Sequence, residues 1–242
     1  MKLLIIRHGD PDYAIDSLTK TGWVEAELLA ERLSRLDVKE FYVSPLGRAK
    51  DTASLTLKKM GQAAKECLWL REFAAQTQKP WQERAECAWD WLPGEWTKEP
   101  KYFHQQEWYN TEVMESGRVR EEAEWVTKEF DHFLGERGYR RKDHYYQVEK
   151  ANEDTFVLFC HFGVECLMLS HLLHVSPMVL WHGLCAAPAS VTTVVTEERR
   201  KGIASFRVTA FGDTSHLYAA GQEASVAGQF CEIYDREDQR RD

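Results

Sequence analysis

The sequence predicts an α/β fold: a three-layer sandwich in which a mostly parallel central sheet is flanked by helices and carries a helical, tryptophan-rich cap insertion. Three observations predict it. Two short apolar runs, residues 3–6 and 156–160, each stop at a histidine followed by a glycine turn, as buried strands do at their ends. Helix-periodic segments alternate with strand-like ones, the pattern that gives a parallel sheet covered on both faces. Between residues 74 and 154 the character changes, and Trp81, Trp89, Trp91, Trp96, Trp108 and Trp125 fall among charged residues. A chain of 242 residues is long enough for one sizeable core, so residues 1–242 read as a single domain with 74–154 as the insertion.

Each element has a local reason. MKLLIIRHG is a strand that delivers Arg7 and His8 to the turn at Gly9. A polar loop, residues 10–17, leads into LTKTGWVEAELLAERLSRL, where Trp23, Ala26, Leu29, Leu33 and Leu36 recur at helical spacing behind an N-cap at Thr19 or Thr21. The strand EFYVSP follows, and Ser44 as N-cap with Pro45 as first helical residue opens LGRAKDTASLTLKKM, placing Arg48 in the first turn. ECLWLREF brings the chain to Glu72, and the insertion beyond it contains helical stretches such as EEAEWVTKEFDHFL. DTFVLFCHFG then repeats the logic of the opening: a strand delivers His161 to a turn at Gly163, and the apolar helix VECLMLSHLL follows. ASVTTVVTE and IASFRVTAF flank Lys201 and Gly202 as a hairpin, and the charged EIYDREDQRRD frays into solvent.

Composition removes several classes of function. A formal net charge of -8 argues against a general binder of nucleic acid or anionic membrane, which needs a basic surface, yet leaves room for a small basic pocket. Four apolar residues before Arg7 are too few for a signal-peptide core, and no later run approaches a membrane-spanning helix, so a soluble, cytoplasmic protein is expected. Cys67, Cys87, Cys160, Cys166, Cys185 and Cys231 form no CxxC pair and read as free thiols rather than disulfides or a zinc site.

Two strands that end in histidine, and a third followed by an arginine in a helix N-terminus, can converge with Arg7 on one tetrahedral dianion. Arginine suits this task because its planar fork donates two hydrogen bonds to phosphate oxygens and keeps its charge. Helix N-termini expected at Gly9, Leu46 and Gly163 would add free N–H groups. A neutral histidine can attack such a phosphate through one ring nitrogen while the other is held, forming a phosphoenzyme. A carboxyl of raised pKa would protonate the leaving alkoxide, and with the charge met by arginines and a second histidine no metal or other cofactor is required.

At these residues the chain resembles the histidine phosphatase superfamily, the phosphoglycerate mutase-like enzymes. The resemblance lies in RHG at Arg7, His8 and Gly9, LTKTG from Leu18, SPLGRAKDTA from Ser44, Glu72 in LREF, CHFG with His161, and FGDTSHL near the end. It implies that His8 carries the phosphoryl group, that Arg7, Arg48 and His161 bind it, and that Glu72 donates the proton. The implied partner is a small phosphorylated metabolite, and the implied fold is the sandwiched sheet already read from the strands. Pro11 stands where many members have threonine, Ala14 where the mutases have asparagine, and FAAQT after Glu72 lacks the basic and aromatic run of the glycolytic mutases. These departures favour metal-independent phosphomonoester hydrolysis over phosphoglycerate mutase-type transfer. A non-catalytic phospholigand-binding module is the third reading.

Other candidates carry less. Glu66 and Glu83 compete with Glu72 for the acid role. His171 and His174 lack a third ligand and read as a structural pair rather than a metal site; His216 is assigned a structural place near the sheet edge, and Ser190 a place in the pocket wall. The tryptophan-rich insertion reads both as a packed aromatic subdomain and as a cap that selects the leaving group.

Overall fold

A computed structural model describes residues 1–229 and 232–236; Cys231 and the end of the charged C-terminal stretch lie outside them. In chain order the strands are β1 (Lys2–Arg7), β2 (Pro11–Asp12), β3 (Ser17–Leu18), β4 (Glu40–Val43), β5 (Ala64–Glu66), β6 (Gln76–Thr77), β7 (Glu86–Cys87), β8 (Tyr139–Lys142), β9 (Tyr145–Val148), β10 (Thr155–Cys160), β11 (Val191–Arg200) and β12 (Ile203–Asp213). The α-helices are α1 (Lys20–Leu33), α2 (Gly47–Met60), α3 (Pro93–Trp96), α4 (Glu112–Ser116), α5 (Val119–Glu136), α6 (Phe162–Leu173), α7 (Pro177–Gly183) and α8 (Ser215–Ala219). The main sheet runs β5-β4-β10-β1-β11-β12-β9-β8.

That sheet is mixed rather than mostly parallel. β5, β4, β10 and β1 pair in parallel, whereas β11, β12, β9 and β8 continue the sheet from β1 with antiparallel pairings. The βα alternation of the first half and of residues 155–173 was legible, but the two hairpins add antiparallel strands to one side without crossover helices. Strand alternation in β1 divides the core in two. Leu4 and Ile6 pack with Leu29 and Leu33 of α1 and Ala49 and Ala53 of α2. Leu3 and Ile5 face the other layer, built from α5, α6 and the aromatic residues of the insertion.

The helices mostly follow their sequence signals. Thr19 caps α1 by accepting from Gly22 N–H at 3.1 Å, and Ala26, Leu29, Ala30 and Leu33 form its buried face. Trp23 and Leu36 lie off that face and are exposed. Segment 74–154 is less separate than an inserted cap: α5 packs on the sheet through Phe130, Phe133 and Leu134, and β8 and β9 join its edge. Only the stretch before α5, with its short strands and turns, is built mainly of aromatic packing, including Trp81 edge-on to Trp91 and Trp91 on Tyr102. Cys67, Cys87, Cys160, Cys166 and Cys185 are free, and among the described residues no helix is long and apolar enough to cross a membrane.

Candidate active site

The parallel strands end together. Register pairs Arg7 of β1 with Cys160 of β10, and Phe159 of β10 with Val43 of β4, so the next residues, His8, His161 and Ser44, share one edge of the sheet. This is the carboxyl edge, where ligands bind in open α/β sheets. The His8 and His161 rings stand 5.0 Å apart and both side chains are buried.

The protonation of His8 follows from one contact. Its Nδ1 lies 2.8 Å from the Gly9 carbonyl, an acceptor, so Nδ1 carries the hydrogen and Nε2 keeps a lone pair. Burial, then the Arg7 guanidinium, pushes the His8 pKa down to about 3, which keeps the ring neutral at physiological pH. His161 is also driven well below the usual histidine range, by burial first and then by His8, Arg48 and Arg7. Its Nε2 meets Ser44 Oγ at 2.7 Å, and its Nδ1 is buried with no partner.

The two arginines are anchored by the protein and still hold unused donors. Arg7 donates Nη1 to the Ala186 carbonyl, and its Nε is buried without a partner. Arg48 donates to Asp16 Oδ1 at 2.6 Å, lies under the Tyr13 ring, and has its own buried, unpaired Nε. The other Asp16 oxygen accepts from Gly47 N–H at 2.7 Å; partial burial opposes ionisation, but the Gly47 and Arg48 bonds hold the carboxyl below its ordinary range. Gly47 is required here, because a Cβ would sit 2.1 Å from the Asp16 carbonyl oxygen.

Glu72 closes the site from the other core layer. Its Oε1 accepts from Phe73 N–H at 2.8 Å and from Val164 N–H, at the start of α6, at 3.1 Å. Burial raises its carboxyl above the usual glutamate range, against the pull of these N–H groups and Arg7. Glu72, Arg7 and His8 line a common cleft of about 560 Å³, whose outer wall includes Trp89, Trp91, Phe162 and Trp181. Arg48 and His161 do not line that cleft but lie behind His8, His161 ring to ring with it and Arg48 close enough for its charge to act on both histidines.

Several expectations change. No helix begins at Gly9; its N–H donates to Thr52 Oγ1 at 2.9 Å, and α1 starts only at Lys20. Ser44 is not the N-cap of α2, which is Leu46 without a side-chain bond; the Ser44 hydroxyl accepts Leu46 N–H at 3.2 Å and also meets His161. The first N–H groups of α6 are taken up by Glu72 rather than left for an anion. Glu66 pairs with Lys50 at 2.6 Å, Glu83 is exposed, and neither lines the cleft. Ser190 is buried and accepts Arg7 N–H through its carbonyl, behind the wall rather than in it. His171 contacts Asp131 at 2.9 Å and His174 turns to His144; among the described residues no three metal-ligating side chains cluster. His216 meets Arg32 at 3.3 Å, beside α1.

Sequence reasoning missed Asp16 and Glu165 and gave Ser44 only a capping role. Asp16 and Ser44 orient Arg48 and His161 from loops distant in the chain, and no local motif marks either contact. Glu165, one turn into α6, is fully buried, and burial pushes its carboxyl up to about 7 against Thr192 and Arg7.

Comparisons with known proteins agree with this geometry. In sequence, residues 3–209 match the model of the histidine phosphatase superfamily (branch 1). A 2,3-bisphosphoglycerate-dependent phosphoglycerate mutase of Thermoplasma acidophilum is 37% identical over 62 residues, 22% of this chain and 31% of the mutase, so the match spans about a third of that protein. In structure, a mycobacterial glucosyl-3-phosphoglycerate phosphatase with VO3 superposes at TM-score 0.56 and 21% identity, covering 88% of this chain and 99% of that one. A phosphoserine phosphatase from Entamoeba histolytica with 3-phosphoglyceric acid superposes at TM-score 0.56 and 18% identity, covering 89% and 98%. A putative alpha-ribazole-5'-P phosphatase from Escherichia coli does so at TM-score 0.51 and 19% identity, covering 86% and 96%. With a family match across most of its length and paired strand-end histidines at its sheet edge, the chain belongs to the histidine phosphatase superfamily.

Proposed function

We propose that this protein hydrolyses phosphomonoesters of small metabolites through a phosphohistidine at His8, without a metal. The observation that carries the reading is a set of three buried nitrogens without partners, the guanidinium Nε–H groups of Arg7 and Arg48 and the Nδ1 of His161, in the electrostatic neighbourhood of a neutral His8. Buried donors without partners cost free energy, and a phosphate dianion relieves that cost at the two guanidiniums. The structural neighbours named above are phosphatases by name, one of them putative, which supports the same reaction class.

The chemistry balances on these residues. The His8 Nε2 lone pair attacks phosphorus as the P–O bond to the alcohol breaks, and Glu72 gives its proton to the departing oxygen. Arg7, Arg48 and His161 hold the charge on the transferring phosphoryl group. Water then attacks phosphorus as the P–Nε2 bond breaks and yields its proton to the Glu72 carboxylate, which releases phosphate and restores neutral His8. The stretch of segment 74–154 that supplies Trp89, Trp91 and Pro93 to the cleft serves as its cap.

Turnover of 4-nitrophenyl phosphate in excess chelator is the direct test. Wild type is expected to release phosphate and to show an acid-labile phosphoenzyme, and His8→Ala to lose both. Full activity of His8→Ala, or loss of wild-type activity in chelator, refutes the reading.

A further inference from the structure

The cleft extends beyond His8 into a space whose walls differ in kind from its floor. Among the described residues that line it, Arg7 is the only lysine or arginine, and it belongs to the phosphate end. The walls include Trp89, Trp91, Trp181 and Phe162, with Tyr13 and Gln229 also in the lining, both exposed. All three indole N–H groups are tied to backbone carbonyls: Trp89 to Phe73 at 3.3 Å, Trp91 to Ala88 at 2.8 Å and Trp181 to Gly163 at 3.0 Å. None is free to donate to a ligand. His182, the remaining imidazole in the lining, is likewise occupied at both nitrogens, with Nδ1 donating to the Met178 carbonyl at 2.6 Å and Nε2 accepting from Trp91 N–H at 2.9 Å. Its ring also stacks on Trp96, with centroids 4.9 Å apart.

The buried cation nearest this wall is turned away as well. Lys79 is buried, and its ammonium donates to the Asp90 carbonyl at 2.6 Å without lining the cleft. Asp90 itself is exposed and contributes negative, not positive, charge at the rim. Among the described residues, the space past the phosphate therefore presents aromatic faces and no lysine or arginine besides Arg7, and a second anionic group on the substrate would be desolvated against those faces unpaired.

We propose that this aromatic space receives the alcohol half of the substrate, and that it selects an uncharged, ring-bearing apolar group carrying no second phosphate or carboxylate. The inference rests on the phosphomonoesterase reading, because it assigns the far half of that same site. Its basis is complementarity: aromatic faces whose indole donors are tied up favour apolar area, whereas a bisphosphorylated or phosphoglycerate-type ligand needs counter-charge that the described lining lacks.

The test uses phosphates of primary alcohols, so that intrinsic leaving-group reactivity is closely matched: 2-phenylethyl phosphate, glycerol 3-phosphate and 3-phosphoglycerate. A single methylene in an apolar pocket discriminates by about 10-fold or more, and a phenyl ring buries several such units. The kcat/KM for 2-phenylethyl phosphate is therefore expected to exceed that for 3-phosphoglycerate by at least about 100-fold, with glycerol 3-phosphate between them. Leu184→Lys, which sets a cation in the lining, is expected to narrow the first ratio by about 10-fold or more through the charge it supplies. Equal or better use of 3-phosphoglycerate by the wild type, with a phosphoenzyme formed, overturns this inference and leaves the esterase reading standing. Absence of turnover and of phosphoenzyme with every ester overturns both.

Discussion

Replacing Glu72 by glutamine separates a proton donor from a structural carboxylate. Oε1 is the oxygen held by Phe73 N–H and Val164 N–H, which leaves Oε2 to carry the proton toward the cleft. In Glu72→Gln the amide carbonyl can take the place of Oε1 and keep both bonds, so the fold should lose no more than part of two hydrogen bonds, each worth about 0.5–1.5 kcal/mol. What disappears is the acid. General acid catalysis is worth about 10²–10⁴ in rate, or ~3–5 kcal/mol of barrier at 1.36 kcal/mol per tenfold. That loss should fall only on substrates whose leaving group needs a proton. The assay compares kcat/KM for 4-nitrophenyl phosphate, whose leaving group departs as a stable anion, with 2-phenylethyl phosphate, whose alkoxide does not. The first is expected to fall by less than about 10-fold and the second by about 10²–10⁴-fold. Because burial raises the Glu72 pKa, wild-type activity on the alkyl ester should also decline as pH rises through that raised value, and the variant should lose this dependence. Equal losses on both esters would refute the assignment of Glu72 as the donor.

Two further outcomes follow from the same geometry. Gly163→Ala would put a Cβ 2.6 Å from Glu72 Oε1 and 2.8 Å from Trp89 Nε1, so kcat/KM on alkyl esters should drop by about 10-fold or more from misplacement of the acid; unchanged kinetics in the folded variant would show that the site absorbs the methyl group. Glu165 holds its proton up to about pH 7 in the fold but releases it near 4.5 when unfolded, so its contribution is intact below 4.5 and is lost as pH rises through 7. The span corresponds to ~3 kcal/mol at 1.36 kcal/mol per pH unit, and in urea unfolding Glu165→Gln should gain by about that much relative to wild type between pH 4.5 and 8; parallel curves would exclude it.

Much of the site was readable along the chain because its parts are local. A run such as KLLIIRHG can end only where the apolar residues stop, so strand, turn and the positions of Arg7 and His8 are set together; FVLFCHFG does the same for His161. Arg48 was placed in the first turn of its helix for a similar reason, although the proposed cap at Ser44 failed. The helix begins at Gly47, later than the Ser-Pro pair implies, so the Ser44 hydroxyl accepts Leu46 N–H ahead of the cap and also meets His161, a partner more than a hundred residues away, and long-range pairing of this kind leaves no periodic trace. The mixed character of the sheet escaped for a related reason. Local pattern marks β11 and β12 as a hairpin and leaves β8 and β9 unread inside a segment that reads as helical, and which edge a hairpin joins is decided by what it can bury there.

The sequence by itself determined the residue types of the chemistry and the turns that present them, since backbone propensity and apolar runs act over a few residues. Only the tertiary structure decided their electrostatics. Neutral His8, a Glu72 that holds its proton above the usual range, and arginines with unused buried donors all arise from desolvation and from neighbours brought in by chain folding. The aromatic wall is the clearest division between the two: six tryptophans in segment 74–154 were visible at once, yet which of their faces line the cleft, and which of their N–H groups are already bonded, depended on packing against α6 and α7. Burial, not composition, turned an aromatic-rich segment into one side of a reaction cleft.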